Sequence, residues 1–206
     1  MEFLLFMLFS IVEMIGIFAL TLYVFRFNLM NSVVPVLISV TLMNVQSYLI
    51  REDTTLSYIV PVLNLIFIIL FVWAILRQPF VGSIFVGTIG VVAGGLLQSL
   101  LIYLSNGYLS VEEVQTVAIK GYYLQTLTGF IAFAIGATLY KFGIGFSFDL
   151  EKLRIKKERF FLPIIIVLLI LGLGVLMYFL DVYINLLTFV IALLFFLYYS
   201  VKKEVE

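Results

Sequence analysis

The chain has 206 residues, 64% hydrophobic and 12% charged, with zero net charge and a mean hydropathy of +1.24. Soluble domains run at about 45–50% apolar and about 25% charged residues, so too few polar residues are present to clothe a water-soluble core. With no Cys and no His, disulfides, His- or Cys-ligated zinc or haem, and His- or Cys-based catalytic dyads are excluded, and zero net charge supplies no field for nucleic acid.

A transmembrane helix takes about 20 apolar residues, so seven would use about 140 and leave about 65 for loops and tails. Apolar runs and the charges that interrupt them predict spans at 3–25, 29–50, 56–76, 80–103, 122–140, 160–180 and 182–200. Glu2 precedes the first run and no Lys or Arg does, so a signal peptide's basic start is missing and the run is expected to remain a span. A polar stretch, 105–120, separates the fourth and fifth runs. The most charged segment, 142–159, separates the fifth and sixth. The continuous apolar run 164–171 lacks the alternation of a membrane β-strand. The expected fold is therefore an all-α polytopic membrane bundle, one domain over residues 1–206 embedded in a lipid bilayer.

Seven spans put the loops on alternate sides. Arg26, Arg77, Lys141, Lys152, Arg154, Lys156, Lys157, Arg159, Lys202 and Lys203 then share one side, leaving only Arg51 and Lys120 on the other. The basic side is cytoplasmic by the positive-inside rule, which puts the N-terminus outside and the C-terminus inside.

Glu13 falls about ten residues into the first run. A carboxyl group at that depth is costly and is a functional candidate by default. It shares a helix face with Ser10, Gly16 and Ile17. It reads either as a proton or cation relay or ligand contact, or as a protonated carboxyl bonded to a neighbouring helix. Amide and hydroxyl residues concentrate in the outer halves of the runs. Asn44, Asn64, Gln98 and Gln125 lie deeper than an interfacial aromatic belt explains. They read as anchors of an outward-open pocket or as ordinary interhelical hydrogen-bonding groups.

Small residues mark expected close helix contacts. Gly90 and Gly94 form a GxxxG, Ser83 and Gly87 are four apart, and Thr128, Ala132 and Gly136 repeat that spacing. Pro35 and Pro61 fall within the second and third runs, where they are expected to free backbone carbonyls. In the charged segment, Leu150 and Leu153 among basic residues suggest a short interfacial helix. No paired intramembrane aspartates, nucleophile elbow, P-loop or dinucleotide fingerprint occurs. A non-enzymatic protein without cofactor or metal is expected.

The layout resembles the membrane sensor region of accessory-gene-regulator-type (AgrC-like) histidine kinases of Gram-positive bacteria. The likeness is one of topology over most of the chain, and two local features add to it. One is the stretch KFGIGFSF at 141–148. The other is the charged ending of the last run at Lys202, Lys203 and Glu204. The resemblance implies a bacterial cell membrane, six or seven spans, and an outer face that receives a small hydrophobic peptide. It also implies a signal passed to a cytoplasmic partner or through a homodimer. The phosphoacceptor His and ATP-binding module are absent, so it further implies a stand-alone relative or a fragment unable to phosphorylate. The regulator peptidase of the same systems is excluded, because it needs Cys and His.

The expected function is thus a receptor or sensor-like membrane protein that binds a small amphipathic ligand from outside. Asn44, Asn64, Gln98 and Gln125 would be its anchors and Glu13 its polar floor. Two alternatives stay open: a small transporter or a transporter's substrate-binding membrane subunit, and a structural or immunity-type membrane protein without a ligand.

Overall fold

A computed structural model describes residues 2–51, 59–146 and 182–205. The sixth run and the expected interfacial helix at 150–153 lie outside the described residues. Every regular element among the described residues is helical. They are α1 (Glu2–Val24), a 3-10 turn (Leu29–Ser32) leading into α2 (Val33–Arg51), and α3 (Val60–Leu70) with its π-helical extension Phe71–Ile75. α4 (Phe80–Leu104), the short α5 (Val111–Thr116), α6 (Ala118–Lys141) and α7 (Val182–Val205) follow. Four helical stretches are long and apolar enough to cross a membrane: Phe3–Val24, Leu29–Ile50, Phe80–Leu104 and Ala118–Lys141. Two shorter apolar stretches, Val60–Ile75 and Val182–Tyr198, accompany them. Large side chains such as Leu4, Leu49, Phe130 and Tyr198 are exposed on the outside of the bundle. That is the surface expected where lipid rather than water is the solvent.

Pro35 and Pro61 sit in the first turns of α2 and α3 rather than in mid-helix. The missing N–H of proline costs little there, because the first backbone donors of a helix lack intrahelical partners. At the opposite helix ends, Arg26 and Arg77 stop α1 and α3 in the left-handed region, at φ 57° and 55°.

Glycine sets the closest packing. A Cβ on Gly16 of α1 would overlap the carbonyl oxygen of Gly129 on α6. A Cβ on Gly129 would lie 2.6 Å from Val12 O, and one on Gly136 would lie 2.9 Å from Leu20 Cα. Backbone therefore meets backbone along α1 and α6, as small residues allow between membrane helices. The order of these contacts makes the two helices parallel. The GxxxG of α4 meets α1 as well: Gly90 faces Thr21 and Gly94 faces Ile17. That order is reversed, so α4 is antiparallel to α1. α7 packs along α4 through three ring contacts. Phe189 covers Gly95, Phe85 meets Phe196 at 5.5 Å between ring centroids, and Tyr103 meets Tyr183 at 5.9 Å. These contacts make α7 antiparallel to α4 and parallel to α1 and α6.

The C-terminal halves of α1 and α7 meet the end of α3 and the start of α4 in the hydrophobic core. Phe18, Phe71, Phe85 and Phe196 are essentially fully buried, with Phe18 edge-on to Phe71 at 5.2 Å. The stretch after α6 closes this end. Arg26 donates to Gly143 O at 2.6 Å, Phe146 N donates to Val24 O at 2.8 Å, and the Phe146 ring lies 5.8 Å from that of Phe25.

Candidate functional site

At the other end, where α1 and α6 begin and α4 finishes, the helices part around a cavity of about 300 Å³. Its floor is polar. Glu13 lies eleven residues beyond the start of α1, about 16 Å along the axis, and is buried. Gln98, about 9 Å before the end of α4, donates from Nε2 to Glu13 Oε1 at 3.0 Å. Gln125 of α6 donates from Nε2 to Ser10 Oγ at 2.9 Å. Its own Oε1 is buried with no hydrogen-bond partner among the described residues, and neither has Thr128 Oγ1 one turn further on. Leaving buried polar atoms unpaired costs free energy, so Gln125 Oε1 marks a place where a donor would be stabilising.

The walls are aromatic. Phe6, Tyr48 and Tyr122 line the cavity. Their rings are braced in turn, Phe6 on Tyr48 at 5.4 Å and Phe9 stacked on Tyr122 at 4.8 Å. Beyond them, Val114, Ala118 and Gly121 form a rim where α5 turns into α6. Ser110 caps α5, its Oγ accepting from Glu113 N at 3.3 Å. Val117, extended at φ −109° and ψ 98°, breaks the helix between α5 and α6. Lys120 is ion-paired with Glu113 and lies 4.6 Å from the ring centroid of Tyr108. α5 is therefore tied to the start of α6 across the mouth.

Three of the five residues singled out from the sequence, Glu13, Gln98 and Gln125, come together on this cavity. Asn44 and Asn64 are not among its lining residues. Asn64 accepts from Ser47 Oγ at 3.5 Å, joining α3 to α2. Asn44 is buried on α2, and its Nδ2 has no partner among the described residues. The rim was not read from the sequence, although Ser110 followed by Glu113 is the pattern of a helix N-cap. Among the described residues, no group of three or more acidic side chains gathers as a metal site.

The sequence matches no known family model, and neither a characterised protein nor a solved structure is significantly similar to it.

Proposed function

We propose that this is a non-enzymatic, multi-pass membrane receptor of sensor type, which holds a small amphipathic ligand in the cavity between α1, α4 and α6. One observation carries the reading: a polar floor of Glu13, Gln98 and Gln125 beneath aromatic walls. Ligand sites are concave and largely apolar, with a few placed polar groups. At about 300 Å³, this one is at the small end of the range and suits a small molecule or one or two side chains of a peptide.

The topology proposed with it is seven spans with the N-terminus outside, in a bacterial cell membrane. The helix directions support that count. α1, α6 and α7 run one way and α4 the other, so α2 and α3 supply an alternating pair between α1 and α4. α6 and α7 point the same way, which is the relation that the proposed count, with one span between them in the chain, requires. Ten of the twelve Lys and Arg residues then face the cytoplasm, and the cavity opens outward.

Reception is favoured over transport by the packing beneath Glu13. Phe18, Phe71, Phe85 and Phe196 fill the bundle below the cavity. Output would run through α4, which places Gln98 in the cavity and Gly95, one turn away, against Phe189 of α7. α7 leads to the charged end at Lys202 and Lys203, where a cytoplasmic partner or a second copy would read its position.

The test is a thermal-shift screen of amphipathic small molecules and short peptides on detergent-purified protein. A ligand of this site raises the midpoint for the native chain and for Asn64→Leu, and loses that effect in Gln98→Leu and in the cavity-filling Val114→Trp. A ligand whose shift survives both of the last two substitutions would place binding elsewhere and overturn the reading.

A further inference from the structure

Among the described residues that line the cavity, Gln125 alone carries a buried side-chain atom without a hydrogen-bond partner, its Oε1. The residue is 8% exposed. Its amide is held in place, because Nε2 donates to Ser10 Oγ at 2.9 Å. An amide donates from its nitrogen and accepts at its oxygen, so this bond occupies the donor end and leaves the acceptor end turned from Ser10. A carbonyl oxygen can only accept. The N–H groups of α6 around it are used in the ladder of the helix itself, so its partner must come from outside α6. Thr128, one turn further on, is a different case. Its Oγ1 is also unpaired, but a hydroxyl can rotate onto a carbonyl of its own helix, and Thr128 does not line the cavity.

The surroundings make that oxygen decisive. Phe6, Tyr48 and Tyr122 offer an entering molecule aromatic surface, which rewards any apolar body of the right size. In the free protein, water entering a cavity of about 300 Å³ can supply the donor. A ligand that displaces this water without a donor of its own loses the bond and the affinity that goes with it. A ligand that brings an N–H or O–H keeps the oxygen satisfied.

We infer that Gln125 is the specificity-determining residue of the cavity, and that it selects a small aromatic or apolar molecule bearing a hydroxyl or N–H donor. This rests on the cavity being a ligand site, as proposed above. The donor is given to Gln125 Oε1, and the body packs against the aromatic walls. An ether or a tertiary amide of the same size has acceptors only and leaves Oε1 unpaired.

Two isomers test this by calorimetry on the full chain in lipid nanodiscs, with empty nanodiscs subtracted: 3-phenylpropan-1-ol and (2-methoxyethyl)benzene. Both carry a phenyl ring and an oxygen that accepts, but only the alcohol donates. The alcohol is expected to bind at least about tenfold tighter, which corresponds to about 1.4 kcal/mol and lies within the cost of a buried acceptor left unsatisfied. Gln125→Met, similar in length and without the carbonyl, is expected to bring the alcohol to the level of the ether and leave the ether unchanged. An ether that binds as tightly as the alcohol overturns the inference, as does a tenfold preference retained in Gln125→Met. The ranking on the unsubstituted chain decides even where the variant does not fold. Equal binding of the two isomers, abolished by Val114→Trp, overturns the role of Gln125 and leaves the ligand site standing. Binding of neither overturns both.

Discussion

Gln98 reaches from α4 to Glu13 on α1, Nε2 to Oε1 at 3.0 Å, and this bond joins two of the three helices that form the cavity floor. Polar contacts between membrane helices average about 0.6 kcal/mol and reach about 1.7 kcal/mol. A double-mutant cycle on Glu13→Leu and Gln98→Leu, read by unfolding in mixed detergent, should return a coupling of about that size. The singles should each cost more than half of what the double costs, because each leaves a polar partner stranded in an apolar setting. Strict additivity would mean that the bond is not formed in the membrane.

The parallel contact of α1 and α6 depends on the missing side chain at Gly129. A methyl group there would lie 2.6 Å from Val12 O and 2.9 Å from Glu13 Cα, so backbone must move. Gly129→Ala should cost about 2–3 kcal/mol, at the upper end of what overpacking costs, and should also disturb Glu13. Gly94→Ala first meets the Ile17 side chain, at 3.2 Å, which can give by a few tenths of an ångström where backbone cannot. It should cost about 1 kcal/mol or less. Midpoints of thermal unfolding in detergent, compared between the two variants, check the order.

Much of this was readable from residue type and spacing, and the rest was hidden for a definite reason. In a chain that is 64% hydrophobic, apolar runs locate helices but do not say which face meets another helix. The small-residue spacings that include Gly136, and Gly90 and Gly94, pointed to close contacts, and the structure shows them at these three glycines. That Gly16 pairs with Gly129 could not be read, because it depends on which helices become neighbours. The same limit applies to the amides. Asn64 and Gln98 look alike in composition and depth, yet helix rotation turns Gln98 to the cavity and Asn64 to Ser47. The rim residues Ala118 and Gly121 carry no polar mark, and only the fold brings them to the mouth.

The link between α5 and α6 makes its own prediction. The Lys120–Glu113 pair is partly exposed, at 21% and 44%, and such pairs contribute about 0–1 kcal/mol. Lys120→Ala should therefore leave the thermal midpoint nearly unchanged. It should loosen α5 over the mouth, seen as faster hydrogen exchange at Val114 and Gln115 with exchange in the α1–α6 contact unaltered. Unchanged exchange in α5 would show that the pair does not hold the rim.

The absence of native cysteine makes the proposed orientation directly measurable, since one introduced thiol is the only thiol in the chain. Asn106 lies in the turn between α4 and α5, at the cavity end. Ile144, 58% exposed, follows α6 at the opposite end. With the N-terminus outside, Asn106→Cys should react with a membrane-impermeant maleimide on intact cells. Ile144→Cys should react only after permeabilisation. Both sites lie beyond the long helices, so neither substitution touches the helix contacts that set the fold. The reverse labelling pattern would invert the topology, point the cavity to the cytoplasm, and remove an external ligand from consideration. Labelling of both sites on intact cells would show that α6 does not cross, and would break the alternation on which the seven-span count depends.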